Sequence, residues 1–332
     1  MEQRQLGRNV MVSTLGMGCM GMSEFYGESD DSASLETLAR ALDLGINFFD
    51  TADTYGHGHN ERLLGRFLRG RRNAAVVATK FGIVREPGHY ERRIDNSPHY
   101  IRAAAEASLS RLGIDCIDLY YCHRRDQAVP IEDVVGAMAE LVAVGKVRQI
   151  GLSEVSSDTL RRASTVHPIA AIQSEYSLWN REPEQAMLAT CTEQGTTFVA
   201  YSPLGRAFLT GAFDTTNLAQ NDFRRNNPRF VGSAAENNRQ LVAGLTTFAD
   251  ARNLTNAQVA LAWLLSKHPH VVPIPGTRRI AYLEQNIAAA TIRLTPAEIA
   301  ELDSLFEPER VAGARYPESG MAGIEGSSTP PL

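Results

Sequence analysis

Cysteine is scarce. The 332 residues hold four, at positions 19, 116, 122 and 191, too few and too scattered for a disulfide framework or a structural zinc site. Long apolar runs are missing as well: the longest, Val259–Leu265, has seven residues, against the ~20 that a bilayer-spanning helix needs. There is no excess of positive charge, since 33 Lys and Arg face 38 Asp and Glu for a net of −5. A nucleic-acid backbone would therefore meet no compensating field. Met1-Glu2-Gln3-Arg4 lacks the basic-then-apolar layout of a secretory leader. Internal repeats are absent, and low complexity is confined to the Gly, Ser and Pro of the last residues. These absences set the expectation of a cytoplasmic protein with reduced thiols that engages neither membrane nor nucleic acid. The hydrophobic 43% and charged 21% that remain suit a packed globular chain and exclude disorder as its main state.

Short β-branched or aromatic runs alternate with amphipathic stretches. The strands expected are Thr14–Gly16, Asn47–Asp50, Ala74–Lys80, Ile117–Cys122, Val147–Gly151, Ala170–Ser174, Thr197–Tyr201 and Val271–Ile274. Several are apolar almost throughout, as strands buried on both faces of a parallel sheet are. Leu35, Leu38, Ala39 and Leu42 follow helical spacing, with Gly45 as a stop. Ser97-Pro98 caps a helix that Gly113 ends, and Pro130 opens another that Gly145 closes. Thr255 with Gln258, and Thr295 with Glu298, fit the capping box. Eight strand-then-helix units predict one (β/α)₈ barrel over residues 1–332 rather than two domains. Three irregularities are expected: a hairpin at Arg4–Val12, a polar, helix-poor insertion from Gly205 to about Ala235, and an irregular tail, Phe306–Leu332.

In such a barrel chemistry collects at the C-terminal strand ends. Asp50 with Tyr55 five residues on, Lys80, and His123 stand at the ends of strands two, three and four. A tyrosine hydroxyl titrates near ~10. A neighbouring ammonium, itself held by a carboxylate, favours the phenolate and lowers that value. With a histidine to orient an oxygen, the four side chains make a general acid aimed at a carbonyl. The carbonyl carbon then needs a hydride donor.

Seven blocks, each at the end of its own strand, resemble the aldo-keto reductase superfamily: Phe49-Asp50-Thr51-Ala52-Asp53-Thr54-Tyr55-Gly56, Ala78-Thr79-Lys80-Phe81-Gly82, Tyr121-Cys122-His123-Arg124, Ile150-Gly151-Leu152-Ser153, Ile172-Gln173-Ser174-Glu175-Tyr176, Tyr201-Ser202-Pro203-Leu204-Gly205 and Pro273-Ile274-Pro275-Gly276-Thr277-Arg278-Arg279. The subgroup resembled includes plant perakine reductase and many bacterial enzymes. The resemblance implies a small-molecule carbonyl substrate, NADPH and no metal. By it Tyr55 is the proton donor, tuned by Lys80 and Asp50, and His123 orients the carbonyl. Ser153 and Gln173 would hold the nicotinamide carboxamide, and Tyr176 would stack on the ring. Ser202, Leu204, Gly205 and Arg206 would line the pyrophosphate, while Gly276, Thr277 and Arg278 receive the 2′-phosphate. Gln285 and Asn286 would lie near adenine, and Met20, Asp50, Tyr201, Pro203 and Ile274 complete the contact set. Where many relatives carry Ser-Asn after strand five, this chain has Ser153-Glu154. The resemblance also admits a nucleotide-binding regulatory subunit like potassium-channel β-subunits.

Other motifs read more plainly. Gly16-Met17-Gly18-Cys19-Met20-Gly21 spells a dinucleotide fingerprint but leads into Glu28, Asp30 and Asp31 instead of a helix N-terminus. His57 and His59 have only His123 to join them as metal ligands. Arg69, Arg71 and Arg72 precede a strand at the opposite end of the barrel, where a solvated rim is expected, and His167, His268 and His270, before later strands at the same end, suit structural roles. Asp53 suits either a turn or the site.

Overall fold

The computed structural model describes residues 1–86, 92–214, 218–220 and 222–326. Part of the loop after the third barrel strand, part of the insertion, and Pro330 and Pro331 of the tail lie outside them. The strands are β1 (Gln3–Leu6), β2 (Val10–Ser13), β3 (Met17–Gly18), β4 (Phe48–Asp50), β5 (Val76–Phe81), β6 (Ile83–Arg85), β7 (Arg92–Ile94), β8 (Ile117–Cys122), β9 (Val147–Ser153), β10 (Ala171–Glu175), β11 (Thr197–Tyr201) and β12 (Val271–Pro273). The helices are α1 (Asp31–Asp43), α2 (His59–Leu68), α3 (Pro98–Leu112), α4 (Ile131–Ala143), α5 (Ser157–Val166), α6 (Met187–Gln194), α7 (Gly232–Asp250), α8 (Asn256–Lys267), α9 (Ile280–Ala288) and α10 (Pro296–Leu305).

Eight strands form one parallel sheet in the order β3, β4, β5, β8, β9, β10, β11, β12. Gly16 N–H donates to the Pro273 carbonyl at 2.9 Å and Gly18 N–H to that of Pro275 at 3.3 Å, which joins the last strand to the first. The fold is the expected (β/α)₈ barrel. The fingerprint-like glycines serve this seam. A Cβ on Gly16 would sit 2.6 Å from the Phe48 ring, and one on Gly18 2.8 Å from the Ile274 carbonyl oxygen, so only glycine admits the approach.

The expected hairpin forms, with β1 and β2 antiparallel. Its Leu6, Val10 and Val12 pack with Phe48, Ala78, Leu119, Tyr121, Val199 and Val272 in a separate apolar cluster. The hairpin thereby plugs the end of the barrel where the strands begin, and the C-terminal strand ends are left to carry polar groups. Alternate strand residues, among them Phe49, Val77, Ile150 and Phe198, pack outward on Leu38, Ile101, Val134, Leu160 and Trp263 of the helices. Burial on both sides is why these strands read as continuous apolar runs. The caps form as expected: Ser97 accepts from Tyr100 N–H, and Thr255 and Thr295 close full capping boxes.

Three features differ from expectation. The first barrel strand is Met17–Gly18, not Thr14–Gly16, because it is placed by pairing with Phe49 and Asp50. The loop after β5 carries the hairpin β6–β7. The insertion after β11 leads into a 19-residue helix, α7, before α8.

Candidate active site

Register brings the candidate acids and bases together. Asp50 ends β4, Lys80 lies near the end of β5 opposite Tyr121, and His123 follows β8. Lys80 is fully buried, and its Nζ donates to Asp50 Oδ1 at 2.5 Å and to the Thr51 carbonyl at 2.7 Å. Gln173 Nε2 donates to the other Asp50 oxygen at 2.7 Å. Burial pushes the Asp50 carboxyl up and the Lys80 ammonium down, and each partner's charge opposes this. The Tyr55 ring lies edge-on to His123 at 5.8 Å between centroids, with Lys80 Nζ 5.2 Å from its centre.

Burial holds the Tyr55 hydroxyl well above its ordinary value and Asp50 raises it further, while Arg124 opposes this.

The two groups open on a cavity of about 1030 Å³. Of the residues expected around a cofactor, Met20, Asp50, Ser153, Gln173, Tyr201, Ser202, Pro203, Leu204, Arg206, Ile274, Gly276, Thr277, Arg278, Gln285 and Asn286 line it, with Tyr55 and His123. Lys80 stands behind Asp50 and Tyr55. Gly205 is covered by its own neighbours; a Cβ there would meet the Trp179 ring at 2.5 Å. Tyr176 is not at the site as expected. It is fully buried, edge-on to Phe198 and Trp263, and its hydroxyl donates to Glu184 at 2.7 Å. A ring fixed there cannot stack on a ligand in the cavity, whereas Tyr201 faces it.

Around the loop after β11 the backbone is left-handed at Ser202, Gly205, Arg206 and Ala207, with φ of 48°, 56°, 56° and 77°. Such strain persists only where surroundings enforce it. Arg206, one of the four, is held by an ion pair. Glu175, fully buried at the end of β10, accepts from Arg206 Nη2 at 2.9 Å and Arg229 Nη1 at 3.0 Å. Glu154, at φ 57°, turns away from the cavity and pairs with Arg315 at 2.6 Å. It therefore anchors the tail instead of replacing the amide of Ser-Asn relatives. Arg315 also donates to the Tyr201 hydroxyl at 3.2 Å, and the next residue, Tyr316, lies under the Arg206 guanidinium at 4.4 Å.

Cavity-lining Arg124, Tyr316, Phe223 and Tyr26 had no sequence reading. Arg124 was within reach of one, standing in the His123-Arg124 block; Tyr316 lies in a tail whose contacts no local pattern encodes. At the far end of the cavity Arg278 bonds the carbonyls of Tyr26, at 3.0 Å, and Glu28. His59 bonds Ser23 at 2.8 Å and Asp31 at 3.1 Å, which gives it a loop-tying role. Arg72 ties Ala75, Cys116 and Asp118 at the strand starts.

Asp53 does not line the cavity. Among the described residues its Oδ1 is buried without a hydrogen-bond partner, and Tyr100 reaches Oδ2 only at 3.5 Å. Burial and the nearby Glu61 push its carboxyl up to about 8. A folded value above the unfolded one costs stability as pH rises from the unfolded value toward about 8. Asp53→Asn is therefore expected to match the wild-type melting temperature at pH 4 and exceed it at pH 9. The gain is about 1–3 kcal/mol, the scale of relieving one badly satisfied buried group. Equal pH profiles of the two melts would refute this.

Comparison with known proteins agrees with this geometry. The model described as the Aldo/keto reductase family matches residues 14–307. The aldo-keto reductase yakc of Schizosaccharomyces pombe, whose name carries NADP(+), is 43% identical over 335 residues, covering 99% of this chain and 98% of that one. A glycerol dehydrogenase from Gluconobacter oxydans superposes with a TM-score of 0.84 at 29% identity, covering 92% of this chain and 96% of its own. An aldo/keto reductase from Klebsiella pneumoniae, solved with NADP and acetate, gives a TM-score of 0.72 at 28% identity, covering 95% and 98%. With barrel, strand-end side chains and cavity in agreement, the chain belongs to the aldo/keto reductase family.

Proposed function

We propose that this protein reduces aldehydes or ketones to alcohols with NADPH, Tyr55 giving the proton. The observation that carries the reading is that Tyr55, His123 and the Asp50–Lys80 pair meet at one end of a single cavity whose other end is Gly276–Arg278. The cofactor supplies the hydride to the carbonyl carbon. Raised by burial, the Tyr55 hydroxyl stays protonated through neutral pH and so remains available to an oxygen that becomes more basic as the reaction proceeds. His123, edge-on to Tyr55, orients that oxygen from the adjacent strand end. Arg124 and Lys80 lie near enough to stabilise the phenolate left behind. Steady NADPH oxidation with a reactive aldehyde tests the reading; binding without turnover would favour a regulatory subunit instead.

The cavity suits this cofactor. Ser202, Pro203, Leu204, Arg206 and Ala207 of the loop after β11 line it, which sets a guanidinium beside the cavity wall. At the far end Gly276–Arg279 contains no acid that would pair a ribose hydroxyl, and barrels of this class commonly hold phosphate after strands seven and eight. The names of the yakc and Klebsiella pneumoniae relatives carry the same cofactor. Arg278→Ala is expected to weaken NADPH binding by about 1.5–3 kcal/mol, the scale of a hydrogen bond to a charged group, and to leave NADH within about twofold. Quenching of tryptophan fluorescence reads both; equal losses would mean that Arg278 does not read the 2′-phosphate.

A further inference from the structure

We propose that Arg124 selects substrates that carry a carboxylate as well as the reducible carbonyl, making the preferred substrate an oxo acid. This rests on the carbonyl-reductase reading above. Arg124 follows His123 directly, lines the cavity and is only 5% exposed. Among the described residues its guanidinium makes two hydrogen bonds, both through Nη1: to the His123 carbonyl at 2.7 Å and to Ser153 Oγ at 3.3 Å. Nε is buried without a partner. Nη2, which carries no hydrogen bond among the described residues, is the donor left to a ligand and can meet one oxygen of a carboxylate with charge assistance.

The surrounding acids are already taken. Arg206 and Arg229 hold Glu175, and Arg315 holds Glu154 and Glu182. Arg85, also on the cavity, is paired with Glu24 at 2.7 Å. Among the described residues no carboxylate forms an ion pair with Arg124, so a buried cation faces the cavity with both hydrogen bonds on neutral oxygens. Glu154, beyond ion-pair distance and already held by Arg315, favours that charge only from afar, which leaves room for a closer anion. A ligand anion seated there would compensate the charge while placing its carbonyl toward the neighbouring His123 and Tyr55.

The test compares acids with their methyl esters: glyoxylate, succinic semialdehyde and 4-carboxybenzaldehyde, each against its ester, with NADPH. Wild type is expected to prefer the acid by 10-fold or more in kcat/KM for at least one pair. Arg124→Gln should reduce that ratio about 10- to 100-fold, the range of a charged hydrogen bond; any loss of phenolate stabilisation lowers acid and ester alike and cancels in the ratio. Arg124→Lys, which keeps charge but is shorter and loses the planar guanidinium, should fall between. Esters measured on the same variants, with NADPH binding followed by tryptophan fluorescence, separate lost recognition from lost folding. An unchanged ratio in Arg124→Gln, or no acid preferred by wild type, overturns the proposal. Should wild type turn over none of the six compounds, the carbonyl-reductase reading falls, and calorimetry on the NADP⁺ complex decides the anion site separately. Glycolate, 4-hydroxybutanoate or 4-(hydroxymethyl)benzoate binding at least 10-fold more weakly to Arg124→Gln supports it; equal binding, or none to either protein, overturns it.

Discussion

Tyr55→Phe is expected to lower kcat by at least ~10²-fold with NADPH affinity changed by less than about twofold. The substitution removes one oxygen and keeps the ring that packs edge-on to His123 and near Lys80. The Asp50–Lys80 pair and its Gln173 bond do not involve the hydroxyl, so the rest of the site should hold its shape. Steady-state NADPH oxidation and a fluorescence titration on the same preparation separate the two quantities. Turnover within tenfold of wild type would remove Tyr55 from the role of proton donor.

Glu175→Gln is expected to destabilise the protein by about 3–5 kcal/mol, the usual result of removing one partner from a buried ion pair. That corresponds to a melting temperature lower by on the order of 10 °C. The carboxylate is fully buried, and three guanidiniums converge on it: Arg206 at 2.9 Å, Arg229 at 3.0 Å and Arg315 at 3.7 Å. Although burial alone would raise its carboxyl, these charges hold it below its ordinary value. A folded value below the unfolded one contributes stability above the unfolded value, ~4.3, and loses it as pH falls through the lower folded value. The gap between wild type and Glu175→Gln should thus be full at pH 7 and shrink in acid. Melts at pH 7 and below pH 4 check this; a gap that is absent at pH 7, or that widens in acid, would contradict it.

Seven of the eight barrel strands could be read from the sequence because burial on both faces leaves an unmistakable apolar run. Asp50, Lys80 and His123 were found at the ends of such runs, while Ser153 and Gln173 came from the family resemblance. The first strand was harder: in Thr14–Gly18 hydrophobicity is uninformative, and its position is set by bonds from Gly16 and Gly18 to a segment some 260 residues away. Helix α7 was missed because its asparagine-rich start lacks a side-chain cap and runs on from a polar insertion. Tyr176 shows the limit of spacing. One residue past a strand end, its ring can turn to the cavity or to the helices, and Glu184, Phe198 and Trp263 decide for the helices. Charge pairing between distant segments, Glu154 with Arg315 above all, leaves no local trace in the sequence.

That last pair bears on redesign. The Tyr316 side of the cavity is built from the tail, yet its position is set by an acid at the end of the fifth barrel strand. Transplanting onto this barrel a tail from a relative with asparagine in place of Glu154 would strand the Glu154 carboxylate in the interior, and the reverse graft would import a wall without its mooring. Chimeras that exchange residue 154 together with the segment around 315 should keep their shape where tail-only swaps do not. Specificity in this scaffold is therefore a property of paired segments, and swapping libraries should be divided accordingly.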